Sequence, residues 1–267
     1  MRRRRLGGEL RRLREAAGID VEAAAAELDC SVGKIRHIEN GRNAPRKPEL
    51  TALVNLYGIA EDQHVVFEEI RREAARPGWW SQARLPTWLQ TYVGAETDAH
   101  TVSTFTLELI PGLLQIEPYA RTVHEIEGLV DIDRKVAARV RRQQRLVADE
   151  YPLTLNAVIS EATLHRVANA PFAKDQFRHL LTMGQRANIT VRILPFSAGL
   201  HVSLNGGFIL LEFDPEVSLT AAYVEYAVGG DLVDDQVVVA RMAEKFATLR
   251  ELAMSEEESA HFIREWI

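Results

Sequence analysis

The sequence predicts an α+β chain: an all-helical head of five short helices, followed by a larger body of mixed strands and helices. Three observations carry this. Apolar residues recur three and four apart through the first 76 positions, the spacing of one helix face. Beyond Arg76-Pro77-Gly78, β-favouring runs are interspersed with helical stretches in no regular alternation. Charge is divided as well: residues 1–47 carry 12 Lys and Arg against 7 Asp and Glu, while residues 77–267 carry 17 against 25, within a net charge of −6. Domains of 1–76 and 77–267 are expected, with the basic end suited to a polyanion.

Composition excludes several classes. A chain of 267 residues that is 46% apolar and 26% charged is neither disordered nor collagen-like. No apolar run approaches the length of a membrane span. The start, Met1 to Gly8, is basic but lacks the apolar core of a signal peptide. Lone Cys30 permits neither an internal disulfide nor a multi-cysteine metal site. The expectation is a soluble, cytoplasmic protein without cofactor or metal.

In the head, Leu6, Leu10 and Leu13 share one helix face, and Gly18 sits where a helix C-cap is expected. Asp20 can cap the next helix, Val21 to Leu28, whose Ala23–Ala26 run has no bulk. After the Asp29-Cys30 break, Ser31 can cap a third helix with Val32, Ile35 and Ile38 inward, and Asn40-Gly41 ends it. Glu49 to Tyr57 and Glu61 to about Arg76 are two more helices. A small-sided helix, a tight turn and a Ser-capped helix form a helix-turn-helix. Its second helix must stand proud to enter a major groove about 12 Å wide, so the first must pack closely against it.

Through Leu10-Arg11-Arg12-Leu13-Arg14, the alanine helix and the stretch Ser31 to Arg42 with Pro45 just after, the head resembles the XRE (lambda-repressor-like) helix-turn-helix family. The resemblance implies that Val32, Gly33, Lys34 and His37, behind the capping Ser31, face base edges. It places Arg36 near the groove wall and Arg42, Asn43 and Arg46 on phosphates, with a double-stranded operator as partner and a homodimer to span it. Two departures stand out: Asp20-Val21 where the family has a phosphate-donating polar residue, and Asp29 where the turn usually has Gly. Asp29 is expected in the left-handed region. Arg2, Arg3, Arg4 and Arg5 would compensate as a phosphate-binding arm. Glu39 is expected to satisfy backbone donors in the following turn.

In the body, Pro86 to Val93 opens a helix, and Thr101 to Ile110 is a strand closed by Pro111-Gly112. Tyr119 to Glu127 and Ile132 to Asp149 are helical, Leu153 to Ser160 a strand, and Glu161 to Ala168 and Phe172 to Ala187 helices. Strands follow at Ile189 to Leu194, Phe208 to Phe213 and Ala221 to Tyr226, the last two around an Asp214-Pro215 turn. A long helix from Val233 to Met254 precedes a short one with Ser255 and Glu258 spaced as a capping box.

This part resembles the actinobacterial domain of unknown function found behind such heads in WhiJ-like regulators. The resemblance runs through Glu108 to Gln115 with Pro118 to Arg121, Arg142 to Leu146, Ile159 to Leu164, Leu194 to Gly199, Phe208 to Phe213 and Tyr223 to Glu225. It implies an antitoxin-like transcription regulator paired with a small acidic partner protein encoded nearby, and it carries no catalytic residues. The chain is not expected to be an enzyme: no phosphate loop, dinucleotide fingerprint, zinc-helix motif or nucleophile elbow occurs. Trp79, Trp80, Trp88 and Tyr92 could be core or line a ligand or partner surface, with Glu161 (four residues from His165) and His201 as its polar members. Arg139, Arg141, Arg142 and Arg145 are expected to pair with acids of their own domain. Two alternatives stand beside the regulator: an antitoxin that neutralises a small partner and controls only its own operon, and a small-molecule sensor or enzyme built on the second domain.

Overall fold

A computed structural model describes residues 2–41, 43–75, 79–80, 85–214 and 219–267, and of residues 2–5, 73–75, 214 and 219 the backbone alone. The chain divides into two compact units, Met1–Gly78 and Trp79–Ile267. Arg76-Pro77-Gly78, the turn at Asp214-Pro215 beyond Asp214, and Arg42 lie outside the described residues.

The described residues of the first unit form five helices: α1 (Arg2–Ala16), α2 (Val21–Glu27), α3 (Val32–Glu39), α4 (Lys47–Leu56) and α5 (Glu61–Ala75). Leu6 and Leu10 of α1 meet Ala24, Ala25, Ile35, Ile38, Leu50, Leu53, Val54, Tyr57 and Phe67 in one buried cluster. Gly18 and Gly41 take positive φ just past the ends of α1 and α3, where a side chain would be strained. Asp29 does so too, at φ 46°, as its place in the turn requires. Asp20 Oδ1 accepts from Ala23 N at 2.6 Å and starts α2. The fourth helix begins at Lys47, two residues earlier than its apolar pattern indicates, because Glu49 Oε2 accepts Arg46 N at 2.7 Å and caps the turn in front. At Gly7 the absence of a side chain is essential: a Cβ there would lie 2.4 Å from the carbonyl oxygens of both Ile38 and Glu39.

The second unit is built on a six-stranded sheet, β1 (Thr101–Thr106), β2 (Thr154–Ser160), β3 (Ile189–Leu194), β4 (Phe208–Asp214), β5 (Leu219–Tyr226) and β6 (Gly229–Val233), in the order β3-β2-β1-β4-β5-β6. The first three strands are parallel and the others antiparallel, with Thr101 opposite Thr154 and Leu155 opposite Ile189. Around it stand α6 (Thr87–Asp98), α7 (Glu117–Ile126), α8 (Ile132–Gln143), α9 (Glu161–Val167), α10 (Ala173–Met183), α11 (Gln236–Leu252) and α12 (Glu256–Arg264). Period-two alternation sorts the sheet residues onto two faces. Val102, Leu155, Ala157, Ile159, Ile193, Leu211 and Tyr223 enter one core with Val93, Phe177 and Leu180. Phe105, Val158, Leu210 and Ala222 enter another with Val239, Phe246 and Leu249 of α11. The outer edge of β3 is covered, since Ile193 N donates to Ser259 Oγ and Ile193 O accepts from Met254 N, both at 2.9 Å.

The architecture is α+β, as expected, with four local differences. Strand β6 occupies residues whose glycines argue against a strand. Gly230 is there because Tyr223 Oη would stand 2.2 Å from any Cβ. The long helix therefore starts at Gln236, capped by Asp235, whose Oδ1 accepts Val237 N at 2.9 Å. Strand β1 stops at Thr106, and Ile110 N instead donates to Tyr119 Oη at 3.2 Å. Helix α8 ends at Gln143 and tightens into a 3-10 turn that buries Leu146. The expected Ser255–Glu258 capping box is formed, at 2.8 and 3.2 Å.

Replacing Gly7 with Ala should loosen the head by about 1–3 kcal/mol, because the obstacle is backbone that cannot yield. Amide hydrogen exchange should then lose protection across α1 to α3 and keep it in the sheet; unchanged protection in the head would contradict the close approach.

Candidate functional site

The Ser-capped helix α3 is the frame of the site. Ser31 Oγ accepts Lys34 N at 3.3 Å, which leaves the first turn of the helix exposed and supported by its own cap. Ile35, Ile38 and Glu39 are buried, whereas Ser31, Gly33, Arg36, His37 and Asn40 are exposed on the opposite side. Val32 is half-buried against the head core, so only its edge faces outward. At Gly33 a Cβ would meet only Ser31 Oγ, at 3.8 Å, leaving a shallow spot in the exposed surface.

Helix α3 is held from behind. Glu39 accepts Arg14 Nε at 2.7 Å and Nη2 at 3.1 Å, a buried bidentate pair, and Arg14 Nη1 also donates to Ile19 O at 2.9 Å. Among the described residues the partner of the Glu39 carboxylate is a side chain of α1; Arg42 of the following turn lies outside them. The reason is geometric: the glycine at position 7 lets α1 come close enough for Arg14 to reach. Breaking such a pair by removing one member costs about 3–5 kcal/mol.

The expected DNA-facing residues fare unequally. Arg36 and His37 are exposed on α3; Asn43 and Arg46 are exposed in the loop after it, with Asn43 N bound to His37 O at 3.1 Å. Lys34 is engaged: its Nζ donates to Glu49 Oε1 at 2.6 Å. Burial opposes ionisation of Glu49, but its bonds from Lys34 and Arg46 N prevail and hold the carboxyl below the usual range. Arg2 to Arg5 form the opening turn of α1, so they are helical backbone rather than an extended arm. Four cations at a helix N-terminus oppose its dipole, which removes helix stability as the reason for their presence. Asp20 is committed to its cap on α2.

In the second unit the aromatic group splits. Tyr92 is core, stacked on Tyr223 with centroids 4.4 Å apart, and its hydroxyl donates to Glu96 Oε2 at 2.6 Å. Glu96 also takes Arg142 Nε and Nη2 at 2.7 and 2.6 Å. Trp80 packs against Trp79 and Gly94, and the Arg141 guanidinium lies 4.7 Å over the Trp79 ring. Trp88 is partly buried on the main core. Glu161 and His201 are engaged away from this group, which corrects the idea of one shared lining. Glu161 joins His165 at 3.3 Å and accepts Phe196 N at 2.7 Å, while His201 stands edge-on to Phe105 at 5.5 Å. Arg145 donates to Glu96 O and Ala99 O. Among the described residues no group of three His, Cys, Asp or Glu is placed to hold a metal, and no helix is long and apolar enough to cross a membrane.

Two features escaped the sequence. The first is an apolar rim at the end of the sheet where β1, β2 and β3 terminate. Leu200 (88% exposed), Val202 and Leu204 project from the β3–β4 connection, and Val228 (89% exposed) and Tyr226 from the β5–β6 hairpin. Both segments leave the same end of the sheet, since Ile209 near the start of β4 pairs with Tyr223 near the end of β5. The alternation at 200, 202 and 204 between glycines was its only signal. The second is His124, buried on α7 with neither ring nitrogen hydrogen-bonded.

Residues 5–65 match a helix-turn-helix domain family, and with the exposed face of α3 this defines the class: a regulator that binds DNA through its N-terminal head. Residues 89–265 match the family described as a domain of unknown function, DUF5753. The chain belongs to that family. No curated protein and no solved structure matches it.

Burial, reinforced by Arg139, Lys135 and Arg142, lowers His124 from its ordinary value to about 4. Between that value and about 6.5 the unfolded chain binds the proton and the folded one does not, so stability is complete above this window and falls as pH drops through it. His124→Leu should reduce the difference in unfolding free energy between pH 7 and pH 5, read from urea melts, by an amount on the order of 2 kcal/mol. An identical pH dependence in parent and variant would place the imidazole in contact with water.

Proposed function

We propose that this chain is a sequence-specific transcription regulator of the XRE type, which reads an operator with α3 and carries a regulatory second domain of the WhiJ-like kind. The observation that supports it best is the disposition of α3: capped at its N-terminus by Ser31, anchored at its C-terminus by Arg14–Glu39, and open along Gly33, Arg36, His37 and Asn40. A helix presented in this way offers donors to base edges while its backbone stays fixed. Asn43 and Arg46, with Arg2 to Arg5 and Arg42 by their charge and place in sequence, supply phosphate contacts that set its register.

One head gives little affinity, since operator-grade binding is on the order of 10⁻⁸ M or tighter. A homodimer would set two recognition helices about 34 Å apart on a palindrome, with the second domain providing the dimer contact. The exposed apolar residues Leu200, Val202, Leu204, Tyr226 and Val228 at one end of the sheet favour a further role for that domain, reception of a partner protein. In this respect the antitoxin-like reading differs only in the number of promoters served. Its acidic partner is the less supported detail, since Glu225 and Asp231 flank the hairpin and would repel one.

Selection of a binding sequence from a randomised DNA pool, followed by shift assays at fixed salt, tests the reading. His37→Ala should lower affinity for the selected operator by roughly tenfold or more and leave the melting temperature unchanged. Wild-type affinity in that variant would remove α3 from the interface. Replacing Arg2 to Arg5 with Gln, which preserves the helix, should reduce the slope of log K against log salt by about 0.9 for each phosphate no longer neutralised. An unaltered slope would exclude these arginines from the interface.

A further inference from the structure

The reading helix of this head does not have free use of its own lysine. Lys34 lies on the first turn of α3, where a flexible ammonium would reach guanine O6 and N7. Its Nζ is instead 2.6 Å from Glu49 Oε1, with the Lys34 side chain 42% and the Glu49 side chain 17% exposed. The carboxylate is itself immobile: its other oxygen accepts Arg46 N at 2.7 Å, so it is fixed to the first turn of α4. Moving the ammonium to a base would break a charge-assisted bond and leave an ionised carboxylate uncompensated close to DNA phosphates. Arg36 and His37, the next donors along the exposed side, make no such pair among the described residues.

We propose that Glu49 is a specificity-determining residue, which withholds Lys34 from the bases and leaves discrimination to Arg36, His37 and Asn40. The inference rests on the reading that α3 binds DNA, and deepens it. Glu49 touches no base; it acts through Lys34, and its effect is on which sequences are chosen. A carboxylate anchored at the start of α4 thus narrows the code of a helix from another part of the head.

The test uses the full chain and the operator it selects from a randomised pool. Lys34→Met should keep the parent's preference for that operator over a scrambled duplex within about twofold, since the lysine touches no base there and any loss from the unpaired Glu49 carboxylate falls on both duplexes alike. Glu49→Gln keeps an amide oxygen for Arg46 N and releases the ammonium. Its salt slope should steepen by about one, and a fresh selection should enrich guanine at one additional position per half-site. Lys34→Met added to Glu49→Gln should abolish both changes. A loss of roughly tenfold or more in Lys34→Met alone, confined to sequences with guanine, would show that Lys34 already reads a base and overturn the proposal. So would an unchanged slope and selected sequence in Glu49→Gln. If that variant melts below assay temperature, the Lys34→Met result decides by itself. Should the parent select no sequence at all, the DNA reading fails and this inference with it; an operator that ignores Glu49 defeats the inference alone.

Discussion

The bidentate contact between Arg14 and Glu39 is the constraint on which the head depends. On the proposed reading α3 must expose a reading side and yet remain rigid, and it has only eight residues in which to do both. Its apolar contribution is small, chiefly Ile35 and Ile38. The remaining fixation comes from an ion pair at the C-terminal end of the helix, behind its exposed side, where a carboxylate needs full satisfaction to be tolerated in the core. Arg14 meets that need with two nitrogens and uses a third on Ile19 O, so one side chain ties α1, the α1–α2 link and α3 together. Gly7 is the steric condition for this arrangement, since any Cβ would hold the two helices apart.

The second unit repeats the device on a larger scale. Glu96 and Arg142 form a buried fork, and Tyr92 donates a third bond to the carboxylate while stacking on Tyr223 of the sheet. Here burial alone would raise the Glu96 carboxyl, but the neighbouring Arg142 outweighs it and keeps the group ionised. Arg145 adds two backbone carbonyls from the end of α6 and the link to β1. The result joins α6, α8 and the start of the sheet by directional bonds. Such bonds specify one packing arrangement more sharply than apolar contact does, because a slipped register would leave charges unpaired. Among the described residues Arg139 pairs with no carboxylate and bonds Gln115; burial and the nearby Arg142 lower it to about 10.

How much of this was legible depends on whether the cause was local. Caps and stops are local chemistry, and Asp20, Ser31, Gly41 and the Ser255–Glu258 box act where their residue types indicate. Amphipathic periodicity likewise identified the head core, because Leu6, Leu10, Ile35 and Ile38 have no alternative surface to bury. What could not be read is pairing at a distance. That Glu39 meets Arg14, or Lys34 meets Glu49, is a property of helices brought together by the core. Strand β6 was hidden for the same reason: Gly229 and Gly230 have poor strand propensity, and the rings that explain them, Tyr226 against Gly229 and Tyr223 against Gly230, belong to the neighbouring strand. The exposed rim was visible only as apolar residues in loops, since it is the strand pairing that puts both connections at one end of the sheet.

The acids of the head change the balance between attraction and discrimination. Asp20 stands where a phosphate donor would be expected, and Glu49 neutralises a cation on the reading helix. On the proposed reading each diminishes the salt-dependent attraction that any duplex offers, while the base-edge contacts of Arg36, His37 and Asn40 are kept. On the proposed reading a single head is therefore weak on all DNA, and weaker on random sequence than on its operator. Useful occupancy then comes from coupling two heads, where the second contact benefits from the effective concentration created by the first. A domain that governs that coupling needs no direct access to the DNA-binding surface, because a modest change in head spacing or assembly alters occupancy by the full value of the second contact. Weak heads are what make a large second domain an effective place for control.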